Sequence, residues 1–404
     1  MDRLCDNVVE EILLRLPLKH LHRLRAVSRR YNAIVLGPGF APRYWRSHGP
    51  HLSGVFLQGE TLVRPWGAPP RFLPASGGRR PSMADSVLSS DLAFLRHVQT
   101  GFADGDSMIF VLHASSGLLL CSRGREMPAH YYVCNPVTWQ WVALPELPWP
   151  GNYDSLLSVV SNGDGNIRSF QVILAPCIGE PCIRGPYHVD LKVFSSATGR
   201  WGEMRLRNSS YGVGLDALPP PVLGRSGIAY WISDYLMNQC VGYDSVSHSV
   251  CTFRLPACVA REAHSRCLGE RHDGGLRYAH FDFPVFEVWD LMTGVDRGTW
   301  WKRVHRISVT ELAERNPGVA TLLRSTTGRS INGHVHNNSR FEAIGIHPTD
   351  DIVYFNVAKT AAAYSIGHST IRFVRCPLYC FRAHIFSYVH PPHLVLIPEI
   401  RTPT

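Results

Sequence analysis

The sequence predicts an α+β multidomain chain in which three short helices at the N-terminus precede a large all-β domain of propeller type. Three observations predict it. Apolar residues recur at helical spacing only within about the first 35 residues. Beyond them, short Val, Ile, Leu and aromatic runs alternate with Gly, Pro, Asn and Asp clusters. One strand-turn-strand pattern then returns at intervals close to the length of a propeller blade.

The first helix is written by Leu4, Val8, Val9, Ile12, Leu13 and Leu16, which recur at steps of one to four and make one apolar stripe that Pro17 ends. A second helix follows from about Leu18 to Ala26, with Leu21 and Leu24 on one face. Ser28 is a predicted N-cap for a third, in which Tyr31, Ile34 and Val35 share a side before Gly37, Pro38 and Gly39 stop it. Below roughly 40 residues a unit rarely buries its apolar side chains alone. These helices therefore need a cover, either a partner protein or the rest of the same chain.

The run Leu4-Cys5-Asp6, then Val9-Glu10-Glu11-Ile12-Leu13-Leu14-Arg15-Leu16-Pro17, then Leu21, Arg23, Leu24, Arg25, Val27, Ser28, Arg29 and Tyr31, resembles an F-box. The resemblance covers about residues 2–46. Leu4-Cys5 stands where that family usually has Leu-Pro, and Tyr31 where it usually has Trp. It implies a module that docks a Skp adaptor and, through it, a cullin scaffold and a ubiquitin-conjugating enzyme. The residues it implies for that contact are Leu4, Ile12, Leu13, Leu16, Pro17, Leu21, Leu24, Val27 and Tyr31, some of them serving instead to pack the helices together.

The expected division is a helical module over 1–46 and a β domain over 47–404. Within the latter, Pro65-Trp66-Gly67-Ala68-Pro69-Pro70 and Gly77-Gly78-Arg79-Arg80-Pro81 make 64–81 an expected exposed loop, after a short strand near His51 to Gln58. The best copy of the repeat is Gly117-Leu118-Leu119-Leu120-Cys121, a gap, then Tyr131 to Pro145, read as strand, loop, strand, tight turn, strand. Asn135 to Thr138 form the expected turn, with the Asn side chain bonding its own backbone. The same grammar returns with turns at Ser195, Asp244, Asp290 and Ser365, and Trp201 falls in register with Trp141. Ser308-Val309-Thr310-Glu311 is a capping box, so an inserted helix accounts for the longest interval. An irregular β-sandwich with hairpins of similar length is the alternative architecture. Residues 117–145 are also similar to the β-propeller-like associated domain of plant F-box proteins, which implies that loops at one end of the propeller recognise a target protein.

Composition narrows the function classes. With 404 residues, 45% of them hydrophobic and 18% charged, the chain reads as folded rather than disordered. No apolar run approaches the roughly 18 residues of a membrane span. Asp2, Asp6, Glu10 and Glu11 occupy the place of a secretory signal, so membrane and secreted classes recede and an intracellular location, cytoplasmic or nuclear, is expected. Eleven scattered Cys read as free thiols. The net charge of +9 is spread along the chain, which argues against a nucleic-acid partner. Lys occurs only at Lys19, Lys192, Lys302 and Lys359. GC-rich codon usage accounts for that, and so would selection against ubiquitin acceptors.

No His-Glu-x-x-His, P-loop, Gly-x-Ser-x-Gly or paired Cys-x-x-Cys is present. Cys376, Cys380 and His384 have a spacing open to zinc, but alternate with Phe373, Val374, Leu378, Tyr379 and Phe381 as buried strand residues would. Neither a catalytic residue nor a cofactor nor a metal site is expected. The resulting expectation is a non-catalytic substrate-recognition adaptor of a Skp-cullin-F-box ubiquitin ligase. The alternative is a stand-alone propeller that binds or acts on a small molecule or glycan.

Overall fold

The computed structural model describes residues 4–16, 18–37, 39, 40, 43, 44, 53–60, 70–74, 92–95, 109–123, 130–149, 153–161, 167–176, 188–207, 221–224, 227–232, 238–244, 247, 249–256, 266–271, 273–282, 284–294, 298–320, 341–357, 360–377, 382–389 and 395–400. Three helices open it, α1 (Asp6–Leu13), α2 (Leu18–Val27) and α3 (Arg29–Val35). Ser28 caps α3 as its residue type demands, its hydroxyl accepting from the Tyr31 amide at 3.4 Å.

The strands then run β1 (Ser53–Glu60), β2 (Arg71–Pro74), β3 (Ile109–Ser115), β4 (Leu118–Arg123), β5 (His130–Asn135), β6 (Gln140–Ala143), β7 (Tyr153–Ser161), β8 (Ile167–Pro176), β9 (His188–Ser195) and β10 (Arg200–Arg207). They continue as β11 (Val222–Leu223), β12 (Ile228–Ile232), β13 (Gln239–Asp244), β14 (Ser249–Arg254), β15 (Arg266–Glu270), β16 (Leu276–Asp282), β17 (Val285–Gly294) and β18 (Gly298–Ser308). After helix α4 (Val309–Arg315) come β19 (Phe341–Ile346), β20 (Ile352–Val357), β21 (Thr360–Ser365), β22 (Thr370–Pro377) and β23 (Arg382–Val389).

Among the described residues these strands make five antiparallel four-stranded sheets and one three-stranded sheet. The strands β3, β7, β11, β15, β19 and β23 each form one edge of their sheet and pack side by side in that order, with β23 returning to β3. That closed ring makes the architecture a six-bladed β-propeller and sets aside the sandwich alternative. The last blade joins the two ends of the chain, since β1 pairs with β23 from Ser53↔Val389 to Glu60↔Arg382. The inner strands approach closely at the axis. A Cβ on Gly269 would lie 2.4 Å from the Ile346 Cβ, so only glycine fits where β15 passes β19.

Four of the five copies of the repeat read from sequence fall at the outer hairpin of a four-stranded blade. Asn135 Oδ1 accepts from the Val137 and Thr138 amides at 2.9 and 3.2 Å, closing the expected turn between β5 and β6. The hairpins at Ser195, Asp244 and Ser365 fall at β9/β10, β13/β14 and β21/β22. Asp290 is different. It lies inside β17 opposite Lys302, and the hairpin reverses between Gly294 and Gly298. The reason is electrostatic: Asp290 is buried against Arg277, with contacts at 2.7 and 3.1 Å, and meets Arg271 at 2.9 Å, so its carboxylate is held by guanidinium groups rather than by turn amides. The expected loop at 64–81 is also interrupted, because Arg71–Pro74 form β2 and pair with β1. The inserted helix is α4, with Ser308 and Glu311 making the reciprocal capping box.

Helices and propeller share one cluster of buried side chains. Val9, Leu13, Leu14, Leu21, Val35, Phe40 and Tyr44 join Phe56, Leu92, Leu95, Val111, Tyr132 and Tyr388 in it. Tyr44 also donates to the Leu16 carbonyl at 2.8 Å, and Phe40 and Tyr44 stack with ring centroids 5.9 Å apart.

Arg277 further reaches Asp351 of the next blade at 2.7 Å. Removing one partner of such a buried set strands the other charges. Asp290→Ala is expected to cost about 3–5 kcal/mol in urea unfolding. Removing Asp190 from its exposed pair with Arg205 is expected to leave the midpoint unchanged.

Candidate interaction sites

The residues expected to meet a partner divide by burial. Leu13 and Leu21 are 2% and 1% exposed, inside the chain's own core, whereas Leu4 and Val27 are 38% and 79% exposed. Ile12, Leu16, Leu24 and Tyr31 are half-buried, the last three packed on the rim of the shared cluster. Pro17 lies outside the described residues. The division follows helix geometry. Val9 and Leu13 are four apart and face inward on α1, while Val8, one residue round the helix, is 43% exposed. Leu36, just after α3, adds a further apolar surface at 50% exposure. Val8 and Leu36 were outside the expected contact set, although Val8 belongs to the stripe of α1. Around this surface run exposed ion pairs, Arg30 with Asp6 at 2.8 Å and Arg43 with Glu10 at 2.7 Å.

A second site lies on the propeller axis. A cavity of about 530 Å³ is bounded by all six blades, mostly at the C-terminal halves of the inner strands. Its polar wall includes His113, Ser115, Ser116, Ser158 and Ser387, and its apolar wall includes Val160, Leu223, Ile344 and Phe386. Glu270 is the one charged side chain among the described lining residues. His113 is 6% exposed, its Nδ1 has no hydrogen-bond partner among the described residues, and burial pushes its pKa down to about 3. The ring is therefore neutral at physiological pH. No sequence motif marked it; the available signal was its place at the end of the first strand of a blade.

Metal chemistry finds no set of ligands. Among the described residues no three His, Cys, Asp or Glu side chains come together. Of the spacing noted at the C-terminus, His384 sits on β23 with its ring 6.4 Å from that of Phe386, while Cys380 and the Cys376 side chain lie outside the described residues. The described thiols Cys5, Cys121, Cys134, Cys240, Cys251 and Cys267 are free, and burial raises those of Cys134, Cys240 and Cys267, the last to about 12. No described helix is long and apolar enough to cross a membrane.

Comparison with known families matches residues 88–320 to the family described as F-box protein At3g26010-like, beta-propeller, and residues 1–42 to the F-box domain. The chain belongs to the At3g26010-like F-box propeller family. Among curated relatives, it is 26% identical over 331 residues to the F-box protein At5g03970 of Arabidopsis thaliana, covering 80% of this chain and 73% of that protein. It is 28% identical over 201 residues to the putative F-box/kelch-repeat protein At4g22430 of the same plant, covering 48% of this chain and 43% of that one. Among solved structures, it is similar to the allergen Mala s 1 of Malassezia sympodialis at a TM-score of 0.39 and 11% identity, over 66% of this chain and 78% of that one. An F-box followed by a β-propeller fits, in general, a substrate-recognition adaptor of a Skp-cullin-F-box ligase. F-box proteins are typically non-catalytic subunits of such ligases.

The neutral His113 makes a pH prediction. An unfolded chain binds a proton at this residue below about pH 6.5, whereas the native ring stays neutral to about pH 3, so native stability falls as pH drops through that window. The limiting slope is about 1.4 kcal/mol per pH unit. His280, His305 and His347, also lowered by burial, act in the same direction. His113→Phe is expected to flatten the loss of stability between about pH 6.5 and 4 in urea unfolding by up to that slope. A slope equal to that of the parent protein would show that the ring is not held neutral.

Proposed function

We propose that this chain is a substrate-recognition adaptor of a Skp-cullin-F-box ubiquitin ligase, acting inside the cell in cytoplasm or nucleus. Its N-terminal helices dock the Skp adaptor, and loops at one end of the propeller hold a target protein. Ubiquitin transfer is carried out by the assembled complex and not by this chain. The observation that carries the reading is that Leu4, Val8, Val27 and Leu36 stay exposed on a helical unit whose Val9, Leu13, Leu14, Leu21 and Val35 pack with its own propeller.

The two covers that a small helical unit needs are then both provided. Leu13 and Leu21, together with Val9 and Leu14, hold the helices to the chain's own core. Leu4, Ile12, Leu16, Leu24, Val27 and Tyr31 are left in whole or part for the adaptor, with Pro17 marking the break between α1 and α2. This is helix-in-groove recognition, in which a few central apolar anchors provide most of the affinity. A nucleic-acid partner is not proposed, because described arginines such as Arg30, Arg43, Arg205, Arg271, Arg277 and Arg303 meet carboxylates instead of forming an open basic face.

The test is co-purification of the full chain with a Skp adaptor and cullin. Val27→Glu and Leu36→Glu are each expected to lose adaptor binding by about 30-fold while keeping the unfolding midpoint, and their double variant by several hundred-fold, since each anchor contributes on the order of 2 kcal/mol. Leu21→Ala, by contrast, is expected to cost about 2–5 kcal/mol of stability through the cavity it leaves. Adaptor recovery unchanged by the glutamates would remove this surface from the interface.

A further inference from the structure

We propose that the axial cavity is a binding site for a neutral, hydroxylated small molecule with an apolar part. The inference goes beyond the adaptor reading and does not depend on it, because it rests on the wall of the cavity alone.

The wall begins with the backbone. Each inner strand has a hydrogen-bonded neighbour on one side only, so six strand edges face the axis with peptide donors and acceptors that the sheets do not use. Some are met locally. Gln58 Oε1 accepts from the Val111 amide at 2.9 Å, and Ser387 donates to the Ile346 carbonyl at 2.8 Å. The side chains on these edges add further hydrogen-bonding groups without charge, in Ser115, Ser116, Ser158 and the oxygen of Ser387. His113 contributes a neutral ring, held so by burial, which carries one donor and one acceptor.

A wall whose described polar groups, Glu270 apart, are neutral donors and acceptors suits hydroxyl groups, which both donate and accept. It does not suit an ion. A carboxylate or phosphate would enter without a cationic partner among the described lining residues and beside Glu270, and its desolvation would go uncompensated by them. An ammonium would find a counter-charge in Glu270 but leave the hydroxyl and peptide donors of the wall unmet. Val160, Leu223, Ile344 and Phe386 then give an apolar part of the ligand a place to be buried. The volume of about 530 Å³ falls within the roughly 300–1,000 Å³ range of small-molecule sites.

The test uses three probes with one six-carbon stem and different heads: hexyl β-D-glucoside, hexylammonium chloride and sodium hexanoate. Each is titrated into the full chain and followed by saturation-transfer NMR. The glucoside is expected to bind about tenfold more tightly than either ion. Ser158→Leu and Ser115→Trp, the latter at a half-buried strand end lining the cavity, are each expected to weaken it about tenfold. If Ser158→Leu does not fold, Ser115→Trp decides. Equal binding of the three probes, absence of a glucoside signal, or binding untouched by the folded variants would overturn the proposal. Loss of a co-purified target from the variants without any glucoside signal would overturn it in favour of a target loop. Skp co-purification of the same variants is expected to be unchanged, so failure of the adaptor reading and failure of this one give different results.

Discussion

The rest of the molecule depends on the pairing of β1 with β23. Six inner strands form a ring only if the last sheet is completed, and it is completed by strands from opposite ends of the chain, in register from Ser53↔Val389 to Glu60↔Arg382. Without that ladder, β3 and β19 would each lose a neighbour at the axis. The closing sheet is further fixed by aromatic packing, with Phe56 edge-on to Tyr388 at 5.5 Å and the Tyr388 hydroxyl donating to the Gly117 carbonyl at 3.3 Å. The segment after β23 continues the tie, since Asn135 donates its side-chain amide to the Val395 carbonyl at 3.0 Å and Val395 is buried between the first blades. Contacts so distant in sequence must overcome the largest loop-closure entropy in the chain. They belong to the slow, non-local part of folding.

Within that ring, one buried cluster of charges is matched across two blades. Arg277 binds Asp290 in its own sheet and Asp351 in the turn of the next blade, so one guanidinium links two blades. The repeated tryptophans make the corresponding neutral links: Trp201 donates to the Pro145 carbonyl at 2.9 Å and Trp301 to the Arg254 carbonyl at 3.0 Å, each crossing to the preceding blade. Trp141 stands in the first blade, whose preceding neighbour is the three-stranded closing sheet, and it is 41% exposed. One residue type at one position of the repeat thus has different burial according to the blade beside it.

What the sequence made legible was local. The three helices, the Ser28 cap, the Asn135 turn, the hairpins at Ser195, Asp244 and Ser365 and the capping box at Ser308 all depend on residues within a few positions of one another. The misread features depend on partners far away. Asp290 looks like a turn residue until Arg277 and Arg271 are beside it. Arg71–Pro74 have loop composition and become a strand because β1 offers an edge. The sixth blade left no repeat to find, since its strands come from the two ends of the chain. Among the candidate contact residues, the sequence pattern located the stripe but not the division within it, because Leu21 and Val27 are equally apolar and differ only in what the propeller covers. The cavity was illegible for the same reason, being assembled from a few residues on each of six distant strands and their ends.

The shared core between helices and propeller has a consequence for the proposed adaptor. Domains joined by exposed linkers move relative to one another unless their interface is large and apolar. Here Leu13, Leu21, Phe40 and Tyr44 are continuous with Phe56 and Tyr388, residues of the very sheet that closes the ring. The strand that follows the helices in the chain is also the strand that closes the propeller, so covering the inner side of the helical unit and completing the β domain draw on the same side chains. A Skp adaptor bound to Val27 and Leu36 would then be held in a set direction relative to the propeller axis, and a target at the propeller's end would be presented from a defined position. In such an arrangement the buried faces of α1 and α2 would transmit geometry while their exposed faces provided affinity, so substitutions at Leu21 and at Val27, six residues apart on one helix, are expected to act on different properties of the protein.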